Sequence, residues 1–261
     1  MALELPRTND LILRMARAVA GAATRWHRAR CDGAHHLPRG AALLVGNHGI
    51  YGFEVPVFFY LIHQLTSRVP IGLADRHLFG WRPMRDVLAR CGGHIGTVDT
   101  ALALLEREQL VVCYPGGSRE TFKGPGDRYK LRWERASGFV RLAIQAQVPI
   151  VPFAGLGVDD TYRNFGYLPG TRALLGRYAA PFAVGLGPLP LPVRLRFRVG
   201  EAIAPPRDVR DAPALKATVA ASVRALLDGA DADGDANAED DQQDEEQADG
   251  EALAPTAAAV L

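Results

Sequence analysis

Cysteine is scarce: Cys31, Cys91 and Cys113 are the only three in 261 residues. None stands in a CxxC spacing, which excludes a disulfide framework and a zinc site and makes a reducing cytosol the expected compartment. No apolar run approaches the ~18 residues of a membrane-spanning helix. The start carries no long apolar stretch ahead of a small-residue cleavage site, so no signal peptide is expected. A phosphate-cradling GxxxxGK[ST] loop is missing, and Gly155-x-Gly157 lacks the third glycine of a dinucleotide loop. The serine-hydrolase elbow G-x-S-x-G fails at its last position, because Gly116-Gly117-Ser118-Arg119 is followed by Glu120.

The last part of the chain lacks positive charge. All 30 Lys and Arg residues lie at or before Arg224, while 12 of the 29 acids lie from Asp228 onward. The body is left with 17 acids against 30 bases, a net +13 hidden behind the formal +1 of the whole chain. Such a body suits anionic partners: lipid headgroups, the phosphates of coenzyme A, or an acidic carrier protein. Nucleic acid is not expected, since no nucleic-acid module occurs and aromatics are not interleaved with the basic residues. Residues 229–261 hold little apolar bulk to offset ordering entropy, and they are read as a disordered acidic tail.

What is present reads as α/β. Asn9 to Arg30 predicts an amphipathic helix with Ile12, Met15, Ala16, Val19, Ala23 and Trp26 on one face and Arg14, Arg17, Arg25 and Arg28 on the other. It either packs on the domain or lies on an anionic membrane surface. Strands are predicted at Gly40–Gly46, Val111–Tyr114, Val148–Ala154 and Leu195–Val199. Helices are predicted from Val55 to Leu65, Arg76 to Gly93, Thr97 to Gln109, Arg135 to Gln147 and Pro213 to Leu227. The alternation predicts one domain, residues 34–228, with a mostly parallel central sheet flanked by helices and preceded by the N-terminal basic helix of residues 1–33.

Three strand ends carry unusual polar residues, at the position where α/β proteins place ligands. After the first strand come Asn47, His48 and, six residues beyond the histidine, Glu54. Two glycines between them let the turn fold back, so the carboxylate can orient the imidazole. A histidine here can equally be a hydrogen-bonded structural residue. After the second strand, Tyr114-Pro115-Gly116-Gly117-Ser118-Arg119-Glu120 offers backbone N–H groups and a guanidinium. After the third come Gly157-Val158-Asp159-Asp160.

In this order the segments resemble the glycerolipid acyltransferase superfamily from about Ala41 to Asp160. That family shows Asn-His-x4-Asp, then Phe-Pro-Glu-Gly-Thr-Arg, then an apolar Val-Pro-Ile-x-Pro strand. Here the dyad is His48-x5-Glu54 and the third block is Tyr-Pro-Gly-Gly-Ser-Arg-Glu, forms similar to the diacylglycerol-acyltransferase-like branch that includes plant phytyl ester synthases. Tyr129-Lys130-Leu131-Arg132-Trp133 and Gly157-Val158-Asp159-Asp160 match that branch as well.

The resemblance implies transfer of a fatty acyl group from acyl-CoA or acyl carrier protein to a hydroxyl. His48 is the implied general base and Glu54 its partner. Asn47, Gly116, Gly117, Ser118, Arg119, Glu120, Tyr129 and Lys130 are the implied substrate-binding residues, and no metal or cofactor is implied. The stretch Gly92 to Asp99 lacks the further arginine of members that take phosphorylated acceptors, and Glu120 sets a negative charge beside Arg119. A neutral lipid acceptor, such as diacylglycerol or a long-chain alcohol, is therefore expected. The alternatives are a lysophospholipid acyltransferase and a non-catalytic lipid-binding protein. The expected location is cytoplasmic, peripheral on the inner face of a membrane.

Overall fold

The sheet is built outward from its most apolar strand. In a computed structural model that describes residues 11–75, 79, 85–86, 88–89, 91–172, 179–186 and 189–229, strand β2 (Ala42–Gly46, preceded in the chain by β1, Arg30–Asp32) is buried along its whole length. It pairs in parallel with β5 (Leu110–Cys113) on one side and β6 (Ile150–Leu156) on the other. Covered on both faces, these strands need apolar residues at every position, which is why they read as continuous runs rather than as alternation. Beyond β5 lie β3 (Ile71–Ala74) and β4 (Gly93–Ile95), also parallel. Beyond β6, strand β9 (Arg196–Val199) runs antiparallel, and β1 pairs with it in parallel. The order is β1-β9-β6-β2-β5-β3-β4.

Helices cover both faces. Leu43 and Val45 of β2 point to a core shared with α3 (Val98–Leu105), α5 (Gly138–Ala146) and α6 (Ala212–Asp228). Ala42 and Leu44 point the other way, toward Val57, Phe58 and Ile62 of α2 (Glu54–Thr66). Phe58 stacks on Phe153 of β6 with ring centroids 4.3 Å apart. Thr97 caps α3 by accepting the N–H of Thr100. A four-residue helical turn, α4 (Ser118–Thr121), follows β5. Strands β7 (Arg163–Tyr167) and β8 (Pro181–Val184) form a separate antiparallel hairpin.

The structure bears out the α/β class, the largely parallel sheet and the N-terminal helix, and it redraws several boundaries. The first helix, α1, runs only from Leu11 to Trp26. Arg28 then takes φ 43° and the chain enters β1, so the sheet recruits residues ahead of the expected domain start at 34. Of the predicted helix at 76–93, Arg85, Asp86, Leu88 and Ala89 are helical, residues from Gly93 belong to β4, and most of the remainder lies outside the described residues. The tail from residue 230 lies outside them too.

The face of α1 divides differently from the sequence pattern. Leu13, Ala20 and Gly21 are buried, with Gly21 against Tyr60 of α2. Leu11, Met15, Val19 and Trp26 stay exposed in one stripe, Met15 by 61% and Val19 by 70%. Among the described residues no helix is long and apolar enough to cross a membrane.

The β2–β6 ladder continues one residue past the last backbone pair. The Asn47 amide nitrogen donates to Gly155 O at 3.0 Å, and the Gly155 N–H donates to the Asn47 amide oxygen at 2.8 Å. The side chain thus imitates a strand residue and sets where the next residue, His48, leaves the sheet. Replacing it with alanine strands two buried backbone groups, at about 1–3 kcal/mol. Urea unfolding of Asn47→Ala is expected to show a loss of that size, and a loss well under ~0.5 kcal/mol would contradict the pairing.

Candidate active site

The loops leaving β2, β5 and β6 meet at the carboxyl ends of those parallel strands. Between β2 and α2 the chain reverses through a short 3-10 turn, Ile50–Gly52, which folds Glu54 back over His48. His48 Nδ1 lies 2.5 Å from Glu54 Oε1, and the Gly49 N–H donates to the same oxygen at 3.0 Å. Glu54 is buried, and burial alone raises its carboxyl pKa. The charge and hydrogen bond of His48 and the Gly49 N–H outweigh that and hold it below the ordinary 4.5. It is therefore ionised near neutral pH, Nδ1 carries the proton shared with it, and Nε2 is left as the basic nitrogen. The ring is 14% exposed, enough to meet a ligand.

Two backbone choices keep that nitrogen open. Gly52 sits at φ +69°, and a Cβ there would lie 2.7 Å from His48 Cε1. Tyr51 takes φ 61°, which is uncommon for an aromatic residue. Its hydroxyl donates to Pro181 O at 2.8 Å and its ring meets Tyr162 edge-on at 5.3 Å, so the hairpin base holds the strained turn. No sequence signal marks Tyr51 for this role.

From β5, Tyr114 stacks on the His48 ring with centroids 4.1 Å apart and an interplanar angle of 20°. Its hydroxyl is buried without a partner among the described residues, and burial followed by the Glu54 charge pushes its pKa well above 10. Burial pushes the neighbouring Cys113 thiol up to about 12, too high for a thiolate nucleophile at neutral pH. The Gly117 N–H donates to Tyr114 O at 3.0 Å and is thereby used within the turn. Among the described residues, the N–H groups of Gly116 and Ser118 make no such bond.

The charges of this block lie otherwise than the sequence suggests. Glu120 is fully buried and turned inward, where it accepts the His48 N–H at 2.8 Å and the Arg132 N–H at 2.9 Å. Burial raises its pKa against those hydrogen bonds and the Lys123 charge. The Arg119 Nη2 reaches only Pro115 O, at 3.5 Å, and its Nε is buried without a partner among the described residues. The expected repulsion of a phosphate by Glu120 is thus corrected: its carboxylate is engaged by backbone N–H groups in the protein interior, not displayed beside Arg119.

Tyr129 and Lys130 part company. The Tyr129 hydroxyl donates to Asp160 at 2.9 Å and accepts the Gly157 N–H at 2.8 Å, while its own N–H donates to Asp159 at 2.6 Å. Tyr129 therefore locks the loop after β6 in place. Lys130 is 62% exposed, and its ammonium lies 3.5 Å from Asp127 rather than joining the His48 group. Sequence reading missed Lys123, whose buried ammonium lies 2.7 Å from the buried Asp159 carboxylate. Its one signal was position, just past the third block. Lys123 and Asp159, with Ile50, Arg128, Tyr162 and Leu191, line a cavity of about 440 Å³ beside the His48 turn.

Known proteins place this geometry in a family. The model of the acyltransferase family matches residues 28–155. A mouse protein named "DGAT1/2-independent enzyme synthesizing storage lipids" is 31% identical over 215 residues, covering 80% of this chain and 62% of its own length. The chain thus spans about three fifths of that relative. Phytyl ester synthase 2, chloroplastic, from Arabidopsis thaliana is 35% identical over 131 residues, 46% of this chain and 18% of that protein. The 1-acyl-sn-glycerophosphate acyltransferase PlsC from Thermotoga maritima shares the fold at a TM-score of 0.53 and 13% identity, covering 82% of this chain and 79% of that one. The matched span takes in the histidine–carboxylate pair after β2, the glycine turn after β5 and all but the last residue of β6, and this chain belongs to the acyltransferases.

Proposed function

We propose that the protein moves a fatty acyl group from an acyl thioester, carried by coenzyme A or an acyl carrier protein, to the hydroxyl of a neutral lipid such as diacylglycerol or a long-chain alcohol. The observation that carries this is the His48–Glu54 pair with Nε2 left free at the end of β2. Nε2 takes the hydroxyl proton as the oxygen attacks the thioester carbonyl. Glu54 holds the tautomer and stabilises the imidazolium. Collapse of the tetrahedral intermediate expels the thiolate, which recovers the proton from His48. The N–H groups of Gly116 and Ser118 are the turn's available oxyanion donors, that of Gly117 being taken. The neutral acceptor is supported by the relatives named for storage lipids and phytyl esters. One observation favours a lysophospholipid acceptor as the second reading: Arg119 has no carboxylate partner among the described residues and is free to meet a phosphate.

The substrate reading requires access to a bilayer. The exposed stripe on α1 is flanked by Arg14 and Arg25 on a body of net +13. Trp26 donates its ring N–H to Pro190 O at 3.3 Å, which brings the chain beyond the hairpin against the helix. The hairpin exposes Phe165, Tyr167, Phe182 and Val184, with the Phe165 and Phe182 rings 5.9 Å apart. Together these form a surface suited to the inner, anionic face of a membrane, with the protein cytoplasmic and peripheral.

His48→Ala is expected to lower acyl transfer by at least ~10³-fold with an unchanged thermal midpoint, and Glu54→Gln by ~10²–10⁴-fold with a midpoint lowered near neutral pH. Lipid mass spectrometry over a panel of acceptors reads both, and a folded, active His48→Ala protein would refute the base. Because the Glu54 carboxyl is held below 4.5, its contribution to stability is whole above that pH and is lost as the pH falls through the lower folded value. The stability gap between wild type and Glu54→Gln should therefore close on acidification below about 4.5. For the membrane surface, Met15→Glu/Val19→Glu and Phe165→Glu/Phe182→Glu are each expected to cut co-sedimentation with phosphatidylglycerol-containing vesicles about tenfold or more. Unaltered binding by both would remove the docking surface.

A further inference from the structure

The turn after β5 opens on two glycines, Gly116 and Gly117. Gly116 is not required by its backbone, since its φ is not among the left-handed ones. What excludes a side chain there is Glu120. A Cβ built on Gly116 would stand 2.1 Å from the Glu120 carboxyl carbon and 2.3 Å from its Oε1. Gly117, at φ 47° and ψ −134°, turns the chain into α4, and Arg119 N–H donates to Gly116 O at 3.0 Å. That turn brings residue 120 back beneath residue 116.

We infer that Glu120 is a working part of the site, with its carboxylate held in the space that a side chain at 116 would fill. Its work is positioning. One oxygen accepts the N–H of His48, and the other accepts the N–H of Arg132. The carboxylate therefore ties the backbone of the base to the loop after β5 and to the segment that follows it. Glu54 orients the His48 ring, and Glu120 anchors the backbone that carries the ring. Gly116 and Glu120 are then one functional unit: the glycine leaves the room that the carboxylate fills. The inference rests on His48 being the base, as proposed above, for its kinetic readout alone.

The test compares wild type, Glu120→Ala, Glu120→Gln and the relocated pair Gly116→Glu/Glu120→Ala. Glutamine keeps the shape but turns an NH₂ donor toward one of two N–H donors. The readouts are kcat and KM, the thermal midpoint, and the rate at which diethyl pyrocarbonate modifies His48, followed by peptide mass spectrometry. Glu120→Gln is expected to fold with a midpoint lowered by a few degrees and to keep its KM for the acyl donor, while kcat falls roughly 10–100-fold. Its His48 should be modified severalfold faster. The relocated pair should recover kcat to within about tenfold of wild type and restore the slow modification of His48.

Glu120→Gln with wild-type kcat and wild-type modification overturns the inference. So does a relocated pair no better than Glu120→Ala. If Glu120→Ala fails to fold, a folded relocated pair with protected His48 supports the inference, and one that also fails to fold overturns it. Modification needs no substrate. A wild-type protein without transferase activity would therefore refute the proposed reaction while the modification rates still decided the role of Glu120.

Discussion

A carboxylate nearly closed off from water must be met by donors, and Glu54 meets that demand within six residues of chain. Its Oε1 accepts from both His48 Nδ1 and the Gly49 N–H. An ionised group so deeply placed is tolerated only when its charge is compensated at hydrogen-bond distance. To bring donors and acceptor together, the turn must double back, which sets the left-handed backbone of Tyr51 and Gly52. That same reversal fixes the imidazole tautomer and leaves Nε2 on the open side. The shape of the loop, the tautomer of His48 and the side on which its Nε2 lies follow from one compensated charge.

Beneath that pair the three loops are joined by polar groups, where the sheet itself is joined by apolar ones. Asn47 bridges β2 to β6, Glu120 bridges the β2 loop to the β5 loop, and Asp159 with Tyr129 bridges the β5 side to the β6 loop. Buried charges of this kind are weak sources of net stability, because desolvation offsets much of their attraction. What they give is geometry: a loop held by several such bonds has few alternative positions. The inward turn of Glu120 also alters the electrostatics at the mouth of the site, since Arg119 keeps its charge without a neighbouring carboxylate.

The hairpin that holds Tyr51 through Pro181 also displays Phe165 and Phe182. Through Tyr51 the strained turn beside His48 is tied to the hairpin that carries these exposed rings. Contact at the hairpin and the position of Gly52 beside His48 thus share one hydrogen bond.

The central strands β2, β5 and β6, the order of the helices and the three polar strand ends were legible in the sequence, because strands buried on both faces must be apolar throughout. The pair His48 and Glu54 was legible for a similar reason: a short spacing with two glycines restricts where the chain can go. Strands β1, β3 and β4 left no pattern, since three or four residues gain their stability from partners, in the case of β1 from β9 near the far end of the chain. Which face of α1 stays exposed depended on α2, and the hairpin depended on pairing across a long connection. Only the tertiary structure decided that Asn47 serves the sheet, that Lys130 points away and that Glu120 turns inward under Gly116. The local sequence gives each of them a hydrogen-bonding group. The direction in which that group finds its partner is set by segments brought together only when the sheet closes around β2.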